Sequence, residues 1–194
     1  GDWPAHVRAV NLAGLPAAEP ARRGASLFEQ LQAAPSWEDI GWLREATSLP
    51  LLIKGVLHPA DAREAAQRGA AGLIVSNHGG RTLDTALPSA QALPRIADAL
   101  AALPGAAATL PLLVDGGIRR GTDVLKACAL GARAVLLGRP YVHALATCGA
   151  LGVAHALRLL RDELEIAMTL CGCSDLARID ADLVVGAMRT STPR

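Results

Sequence analysis

The chain has 194 residues, of which 51% are hydrophobic, and its formal net charge is +1. This length suffices for one well-buried domain, and the balanced charge argues against a general nucleic-acid binder, which normally carries a basic stripe. No apolar run reaches the roughly 20 residues of a membrane span and no secretory signal opens the sequence, so we expect a cytoplasmic protein.

The four cysteines, Cys128, Cys148, Cys171 and Cys173, lie in or near apolar helical patterns rather than at the spacings of a disulfide framework. This placement predicts reduced, small core residues of a cytosolic protein. The Cys-x-Cys at 171–173 lacks the further ligands that a zinc site requires, so no metal site is predicted.

The chain opens with an irregular segment and becomes regular at Ser36. Residues 1–35 show no sustained period, apart from one helical turn predicted around SLFEQLQ. The stretch SWEDIGWLREA then predicts a helix, with Ser36 as its cap, acidic residues in its first turn and apolar residues at positions 37, 40 and 43.

Four strand–helix units follow in succession. The strands are predicted in LPLLIKG, AGLIVSNHGG, LPLLVDGG and RAVLLGRP. The helices after them are predicted in HPADAREAAQRGA, in LPSAQALPRIADALAAL with Pro94 as a kink, in GTDVLKACALGA, and from about Gly149 to Leu170. The last helix is expected to present one apolar face made of Leu157, Leu160, Leu164 and Met168.

The predicted strands are continuous apolar runs, which are typical of parallel strands buried on both faces. Successive strand–helix units indicate an α/β fold, either an open doubly wound sheet or a barrel.

The polar residues of these strands all stand at the carboxyl ends. Lys54 ends the first strand, Ser76 to His78 end the second, Asp115 ends the third and Arg139 follows the fourth. Carboxyl ends of parallel strands form the active-site face of both α/β architectures, so we expect one ligand site there.

A phosphate-binding pattern accompanies the last two strands. DGGIRRGTD contributes flexible backbone with Arg119, and GRP contributes Gly138 with Arg139. Loops after the last two strands of a barrel often bind phosphate through main-chain N–H groups, and arginine adds charge-assisted hydrogen bonds.

LPLLIKGVLHPADAREAAQRGAAGLIVSNHGGRTLD and LLVDGGIRRGTDVLKACALGARAVLLGRP together resemble the FMN-dependent 2-hydroxy acid oxidases and dehydrogenases, the family of glycolate oxidase, lactate oxidase and mandelate dehydrogenase. SNHGGR followed closely by LD is the most specific element, and the likeness runs from about Ser36 to Leu176. Thr82 departs from the glutamine usual in the family.

The resemblance implies a (β/α)8 TIM barrel of which this chain carries roughly strands five to eight. It also implies oxidation of an (S)-2-hydroxy acid to the 2-oxo acid, with FMN as cofactor. His78 is implied as the base that takes the substrate's proton while the C2 hydrogen leaves toward flavin N5, by hydride or carbanion-type transfer. Arg81 is implied to bind the substrate carboxylate. The implied FMN-binding residues are Lys54, Ser76, Asp115, Gly116, Gly117, Ile118, Arg119, Gly138 and Arg139.

Side-chain chemistry suits these roles. Histidine titrates near neutrality, and a planar guanidinium matches a carboxylate. A lysine beside flavin N1 would stabilise negative charge on the reduced ring. The alternatives are a structural histidine at a strand end for His78, a surface ion pair for Arg81, and a strand-end lysine that reaches solvent for Lys54. Arg120 is expected to be solvated or paired.

Half of the predicted barrel is absent from this pattern, because a (β/α)8 barrel typically needs about 250 residues. We expect residues 1–35 to be the variable loop after strand four, 36–176 the C-terminal half of the FMN-binding barrel, and 177–194 a C-terminal tail. The chain is then the C-terminal portion of a longer enzyme, and its partners are a small 2-hydroxy acid, the N-terminal half of the barrel and further copies of itself in a homo-oligomer, with no nucleic acid.

Two other functions stay open. One is another FMN- or phosphate-binding barrel enzyme of the IMP dehydrogenase or isopentenyl diphosphate isomerase type, which SNHGGR argues against. The other is a half barrel without catalytic activity. The electron acceptor is left open between oxygen, retained product with oxygen, and a quinone; with a quinone we expect association with a membrane.

Overall fold

A computed structural model describes residues 34–185. Within this range, residues 40–185 belong to one compact unit and residues 34–39 to another. The predicted helical turn in SLFEQLQ, nearly all of the predicted loop segment 1–35, and residues 186–194 of the predicted tail lie outside the described residues and stay predictions.

A four-stranded parallel sheet forms the centre of the larger unit. Its strands are Leu52–Val56 (β1), Gly72–Val75 (β2), Leu112–Asp115 (β3) and Ala134–Leu136 (β4). They lie in the order β1-β2-β3-β4, and every neighbouring pair is parallel. When sequential strands are neighbours, right-handed crossovers place all the connecting helices on one face of the sheet, as in a barrel. In a doubly wound sheet the strand order reverses partway, so the helices lie on both faces. The α/β prediction is confirmed, and the order favours half a barrel over an open doubly wound sheet.

Within residues 34–185, five α-helices accompany the strands, and four short 3-10 helices lie between or after these elements. The α-helices are Asp39–Ala46 (α1), Pro59–Gln67 (α2), Ser89–Ala101 (α3), Gly121–Ala129 (α4) and Arg139–Leu170 (α5). The 3-10 helices are His78–Gly80, Gly105–Thr109, Leu176–Arg178 and Ala181–Leu183. The helix α3 continues through Pro94 with helical backbone angles on both sides.

Two helix starts show how local hydrogen bonds set the boundaries. The Ser36 main-chain N–H and hydroxyl donate to the Asp39 carboxylate at 2.6 and 3.2 Å. Because these bonds form a turn ahead of the helix, α1 begins at Asp39, three residues after the predicted cap. The start of α2 is capped by His58, whose Nδ1 accepts the N–H of Ala60 at 3.2 Å.

The sheet has a buried face and a half-open face. Leu73, Val75, Leu112 and Val114 are at most 4% exposed, because they point toward the helices. The alternate residues Ile74, Leu113 and Asp115 are only half-buried, and Lys54, which is level with Ile74 in the register, is exposed. Successive side chains of a strand point to opposite faces, so the polar strand-end residues lie on the face away from the helices.

The last helix is longer than predicted. The prediction began it near Gly149, whereas α5 begins at Arg139 and is interrupted by non-helical backbone at Cys148 and Gly149. The segment before the interruption was missed because Gly149 resembles a helix start, although Pro140 in the first turn is itself a start signal.

The second half of α5 packs against α4. Leu164 and Met168 contact a buried cluster that includes Leu125 and Ala167, as the predicted apolar face requires. Leu157, another residue of the predicted face, is 48% exposed, so it lies outside the packed part of the face.

One helix within the described residues is long and apolar enough to cross a membrane by length and composition. It is α5, with a mean hydropathy of 1.3 over its most apolar stretch. A single such helix is weak support for a membrane span, and α5 is interrupted at Cys148 and Gly149 and carries two i,i+4 ion pairs, Arg158–Asp162 and Arg161–Glu165.

The cysteines divide into two groups. All four are free thiols; Cys173 is buried and Cys128 half-buried, whereas Cys148 and Cys171 are exposed. The prediction of core positions is therefore wrong for Cys148 and Cys171, which lie at the interruption of α5 and just after its end. Cys173 packs with Ile179, so the start of the predicted tail lies against the core.

Candidate active site

The carboxyl end of β1 is reshaped by a bulge. The β1–β2 register shifts between Lys54 and Val56, and the intervening Gly55 has a φ of +97°. Such a left-handed position suits glycine, and bulges often re-aim a neighbouring side chain at a site. The side chain of Lys54 reaches across the ends of the next two strands.

Lys54, Ser76 and Asp115 form a polar cluster across β1, β2 and β3. The Lys54 ammonium donates to the Ser76 hydroxyl at 2.8 Å and lies 3.0 Å from Oδ2 of Asp115. Ser76 is 1% exposed, and Oδ1 of Asp115 is buried with no hydrogen-bond partner among the described residues. Three residues predicted from separate strand ends are thus brought together, with one acceptor left for a ligand.

His78 occupies a turn directly after β2. Its φ of +56° is the only positive φ of a non-glycine residue in the described part of the chain. The His78 N–H donates to the Ser76 hydroxyl at 3.1 Å, and the Gly79 N–H donates to the Asn77 side chain at 3.0 Å. Strained backbone of this kind persists only where its surroundings impose it, and it is concentrated at functional sites.

A cavity of about 550 Å³ opens beside this turn. Its walls combine residues of the β1 and β2 ends with residues of the loop before α3. The lining residues are Lys54, Gly55, Leu57, Ser76, Asn77, His78, Thr82, Leu83 and Ala86. Cavities of this size with a few convergent polar groups are typical ligand sites.

Arg81 lies just outside this group. Its main-chain N–H donates to the His78 carbonyl at 3.4 Å, but its side chain is exposed and is not part of the cavity lining. The guanidinium makes no hydrogen bond or ion pair with other described residues, so it is available to a ligand at the rim.

The loop after β3 presents main chain rather than side chains. Gly116 and Gly117 have φ values of +91° and +82°, and a Cβ at Gly116 would lie 3.3 Å from the Ser89 hydroxyl. The side chain of Ile118 is 9% exposed and points into the core, so only its main chain faces outward. The Arg119 N–H donates to the Asp123 carboxylate at 3.0 Å, and its side chain is exposed.

Gly138 and Arg139 stand at the start of α5. Gly138 directly precedes the helix, and the first N–H groups of a helix lack partners within it. Arg139 is exposed, and its guanidinium lies 3.5 Å from the Gly79 carbonyl. The predicted phosphate-binding arginine thus lies close to the turn that carries His78.

Several residues of the site were not predicted. Asn77 lies inside the SNHGGR motif and Leu83 in the LD that follows it, but neither was given a role, and Leu57 and Ala86 were not singled out. For Leu57 and Asn77, a position just after a strand end is the signal that could have identified them, whereas Leu83 and Ala86 lie eight and eleven residues after β2 and carry no such signal. Arg120, expected to be solvated or paired, lies 3.5 Å from the Glu163 carboxylate.

Comparisons with known proteins agree on one family. The model of the FMN-dependent dehydrogenase family matches residues 4–186. An L-lactate oxidase of Alicycliphilus denitrificans is 50% identical over 183 residues, which cover 92% of this chain and 48% of that protein. The chain therefore spans about half the length of this relative.

Solved structures of mandelate oxidase are similar as well. One with (S)-4-hydroxymandelic acid has a TM-score of 0.69 at 48% identity, covering 74% of this chain and 39% of that one. A tyrosine-to-phenylalanine variant with the monooxide FMN adduct also has a TM-score of 0.69 at 48% identity, over 74% of this chain and 44% of that one.

Proposed function

Because the chain belongs to the FMN-dependent dehydrogenase family, we propose that the protein oxidises a small (S)-2-hydroxy acid to the corresponding 2-oxo acid, with FMN as its cofactor. The names of the similar proteins, lactate oxidase and mandelate oxidase, support oxygen as the electron acceptor.

The observation that carries the proposal is the convergence of Lys54, Ser76 and His78 on one cavity. They come from two neighbouring strand ends, and Asp115 of a third strand contacts Lys54 at 3.0 Å. Stability alone does not explain a lysine, a histidine and an aspartate gathered at one end of a very apolar sheet. A base beside a fixed positive charge does suit proton removal from a hydroxy acid.

The described residues fit FMN. The unpartnered Oδ1 of Asp115 is a buried acceptor suited to a ribityl hydroxyl, and Lys54 offers positive charge to the flavin ring. Gly116 and Gly117 carry no side chain where main chain would approach the cofactor, and Arg119 and Arg139 are exposed and suited to its phosphate. When bound, FMN supplies a two-electron acceptor.

His78 and Arg81 act on the substrate in this proposal. The exposed guanidinium of Arg81 binds the carboxylate, which fixes the hydroxyl-bearing carbon near the imidazole. His78 accepts a proton from the substrate and releases it in each turnover, since an imidazole nitrogen can both take up and donate a proton. No described side chain hydrogen-bonds to the imidazole ring itself, so in this proposal a hydrogen-bonding partner of the ring comes from outside residues 34–185.

The rest of the protein completes the site in this proposal. The sheet edges at β1 and β4 each lack one neighbour within residues 34–185, and its half-open face carries the polar cluster. The N-terminal half of a barrel would cover both, which supports the expected half-barrel partner. Assembly into a homo-oligomer and a cytoplasmic location remain proposals.

The test uses the full-length protein loaded with FMN. Anaerobic lactate, glycolate or mandelate should bleach its flavin absorbance, because the substrate delivers two electrons. Replacement of His78 by Gln should leave FMN bound and slow bleaching by at least a hundredfold. His155→Gln, which changes an exposed histidine on α5, is the matched control and should bleach at the wild-type rate.

Each outcome decides a separate point. Full-length protein that binds no FMN, or flavin that none of these acids bleaches, would overturn the proposed function and favour the half barrel without activity. Bleaching of the His78→Gln variant at the wild-type rate would refute the assignment of the base alone.

A further inference from the structure

Three consecutive main-chain N–H groups after β2 are each bound by a side-chain oxygen. The Asn77 N–H donates to the Ser89 hydroxyl at 3.3 Å, the His78 N–H to the Ser76 hydroxyl at 3.1 Å and the Gly79 N–H to the Asn77 side chain at 3.0 Å. A turn in irregular backbone normally leaves such donors to water. Here the protein itself binds all three, on both sides of the strained His78.

Ser89 is the distant member of this set. It begins α3, twelve residues after Asn77 in the chain, and it is 3% exposed. Its hydroxyl also faces Gly116 of the loop after β3, where an added Cβ would lie 3.3 Å away. One buried hydroxyl at the start of a helix therefore bonds to the turn that carries His78 and lies beside the glycine loop.

The Ser89 hydroxyl is not needed to cap α3. The residue before the helix is Pro88, and no side-chain capping bond is formed at this helix start. A buried hydroxyl normally forms a hydrogen bond, and the Ser89 hydroxyl accepts one from the Asn77 N–H. The hydroxyl thus contributes to the conformation of the turn.

We propose that Ser89 and Asn77 are positioning residues that hold His78 in its left-handed conformation and so aim its imidazole into the cavity. This inference rests on the proposed function of His78 as the base. A left-handed φ at a non-glycine residue is unfavourable, so the turn needs bonds on both sides of His78 to persist. Without them the turn relaxes and the imidazole samples orientations away from the substrate, and misplacement of a reacting group slows catalysis.

The first measurement does not depend on activity. In the full-length protein, Ser89→Ala should raise amide hydrogen exchange of the segment 76–81 at least tenfold, and Asn77→Ala should act in the same direction. Ser89→Thr, which keeps the hydroxyl, should restore protection. The control is Asp180→Ala, which lies far along the chain. It removes a bond of the same kind as that of Asn77, since the Asp182 N–H donates to the Asp180 carboxylate at 3.0 Å.

The second measurement is the rate of flavin reduction by a saturating 2-hydroxy acid. Ser89→Ala should lower this rate about tenfold, which corresponds to about 1.4 kcal/mol of barrier, while the KM and the affinity for FMN change less than twofold. A residue that merely stabilises the fold would lower the melting temperature without this split between rate and KM. The Asp180→Ala control should keep the wild-type rate.

The outcomes separate this inference from the proposed function. If the wild-type flavin is not bleached by any 2-hydroxy acid, the proposed function fails. Amide hydrogen exchange of the segment 76–81 then still tests whether Ser89 and Asn77 hold the turn. If the wild type is bleached but both Ser89→Ala and Asn77→Ala reduce flavin at its rate, with segment 76–81 still protected, the positioning role is refuted.

Discussion

A single methyl group at the contact between α4 and α5 should destabilise the protein strongly. Gly121 is the first residue of α4 and is buried against α5. An alanine Cβ at this position would lie 2.7 Å from the Cβ of Glu163, and closer still to the main chain of Glu163 and Leu164. Main-chain atoms cannot rotate away as the end of a side chain can, so α4 and α5 would have to separate.

The magnitude follows from two losses. Overpacking of this kind typically costs about 1–3 kcal/mol. Separation of the helices also weakens the hydrogen bond from the Gly121 N–H to the Glu163 carboxylate, 2.9 Å long, which contributes on the order of 1 kcal/mol. We therefore expect Gly121→Ala to lower the free energy of unfolding by about 2–4 kcal/mol.

Gly41→Ala is the matched control. Gly41 also lies in a helix, α1, but an added Cβ there would meet no atom within 4 Å. Alanine is the better helix former, so this variant should be stabilised by up to about 1 kcal/mol. Denaturant unfolding of the full-length protein measures both changes. A Gly121→Ala variant within 0.5 kcal/mol or so of the wild type would refute the reasoning about main-chain contact at this site.

Two further predictions concern charge and thiols. Asp115→Ala should cost roughly 1 kcal/mol of stability, since it removes the partner of the half-exposed Lys54, and this cost should shrink as salt rises; a salt-independent cost would contradict it. Burial raises the pKa of the Cys128 thiol above its ordinary 9.0, so iodoacetamide should alkylate it at pH 8 more slowly than the exposed Cys148, as followed by mass spectrometry. Because the folded state favours the protonated Cys128, its contribution to stability is present at neutral pH and is lost as the pH rises through the raised pKa.

The elements of the fold were predictable because their signals are local. Each strand is a short apolar run that ends at glycine or a polar residue, and each of the four predicted strands is found where the pattern placed it. The sheet order could not be derived from these runs, because periodicity identifies strands without saying which ones pair. The α5 segment before Cys148 was missed for a local reason: its start, Arg139, also reads as the end of a strand.

The candidate site likewise has features that were predictable from the sequence and features that were not. Polar residues at strand ends were predictable, since parallel strands bring their carboxyl ends to one edge. The contact of Lys54 with Asp115 lies beside the bulge at Gly55, and neither the contact nor the register shift is visible in an apolar run. The hydrogen bond from the Asn77 N–H to Ser89 joins residues that lie twelve apart in the chain. Nothing in the sequence distinguishes this serine from serines at other helix starts.

The polar residues of the cavity and the residues of its apolar wall stand on different kinds of backbone. Lys54 and Ser76 stand at the ends of hydrogen-bonded strands, and His78 is fixed by side-chain bonds to its turn. Leu83 and Ala86, which form part of the apolar wall, belong to the connection between that turn and α3. Groups that must hold a proton or a charge in one position benefit from rigid supports, whereas an apolar wall tolerates changes in size. If the proposed function holds, the connection can therefore vary with the side chain of the substrate while the proposed proton-transfer groups stay in place.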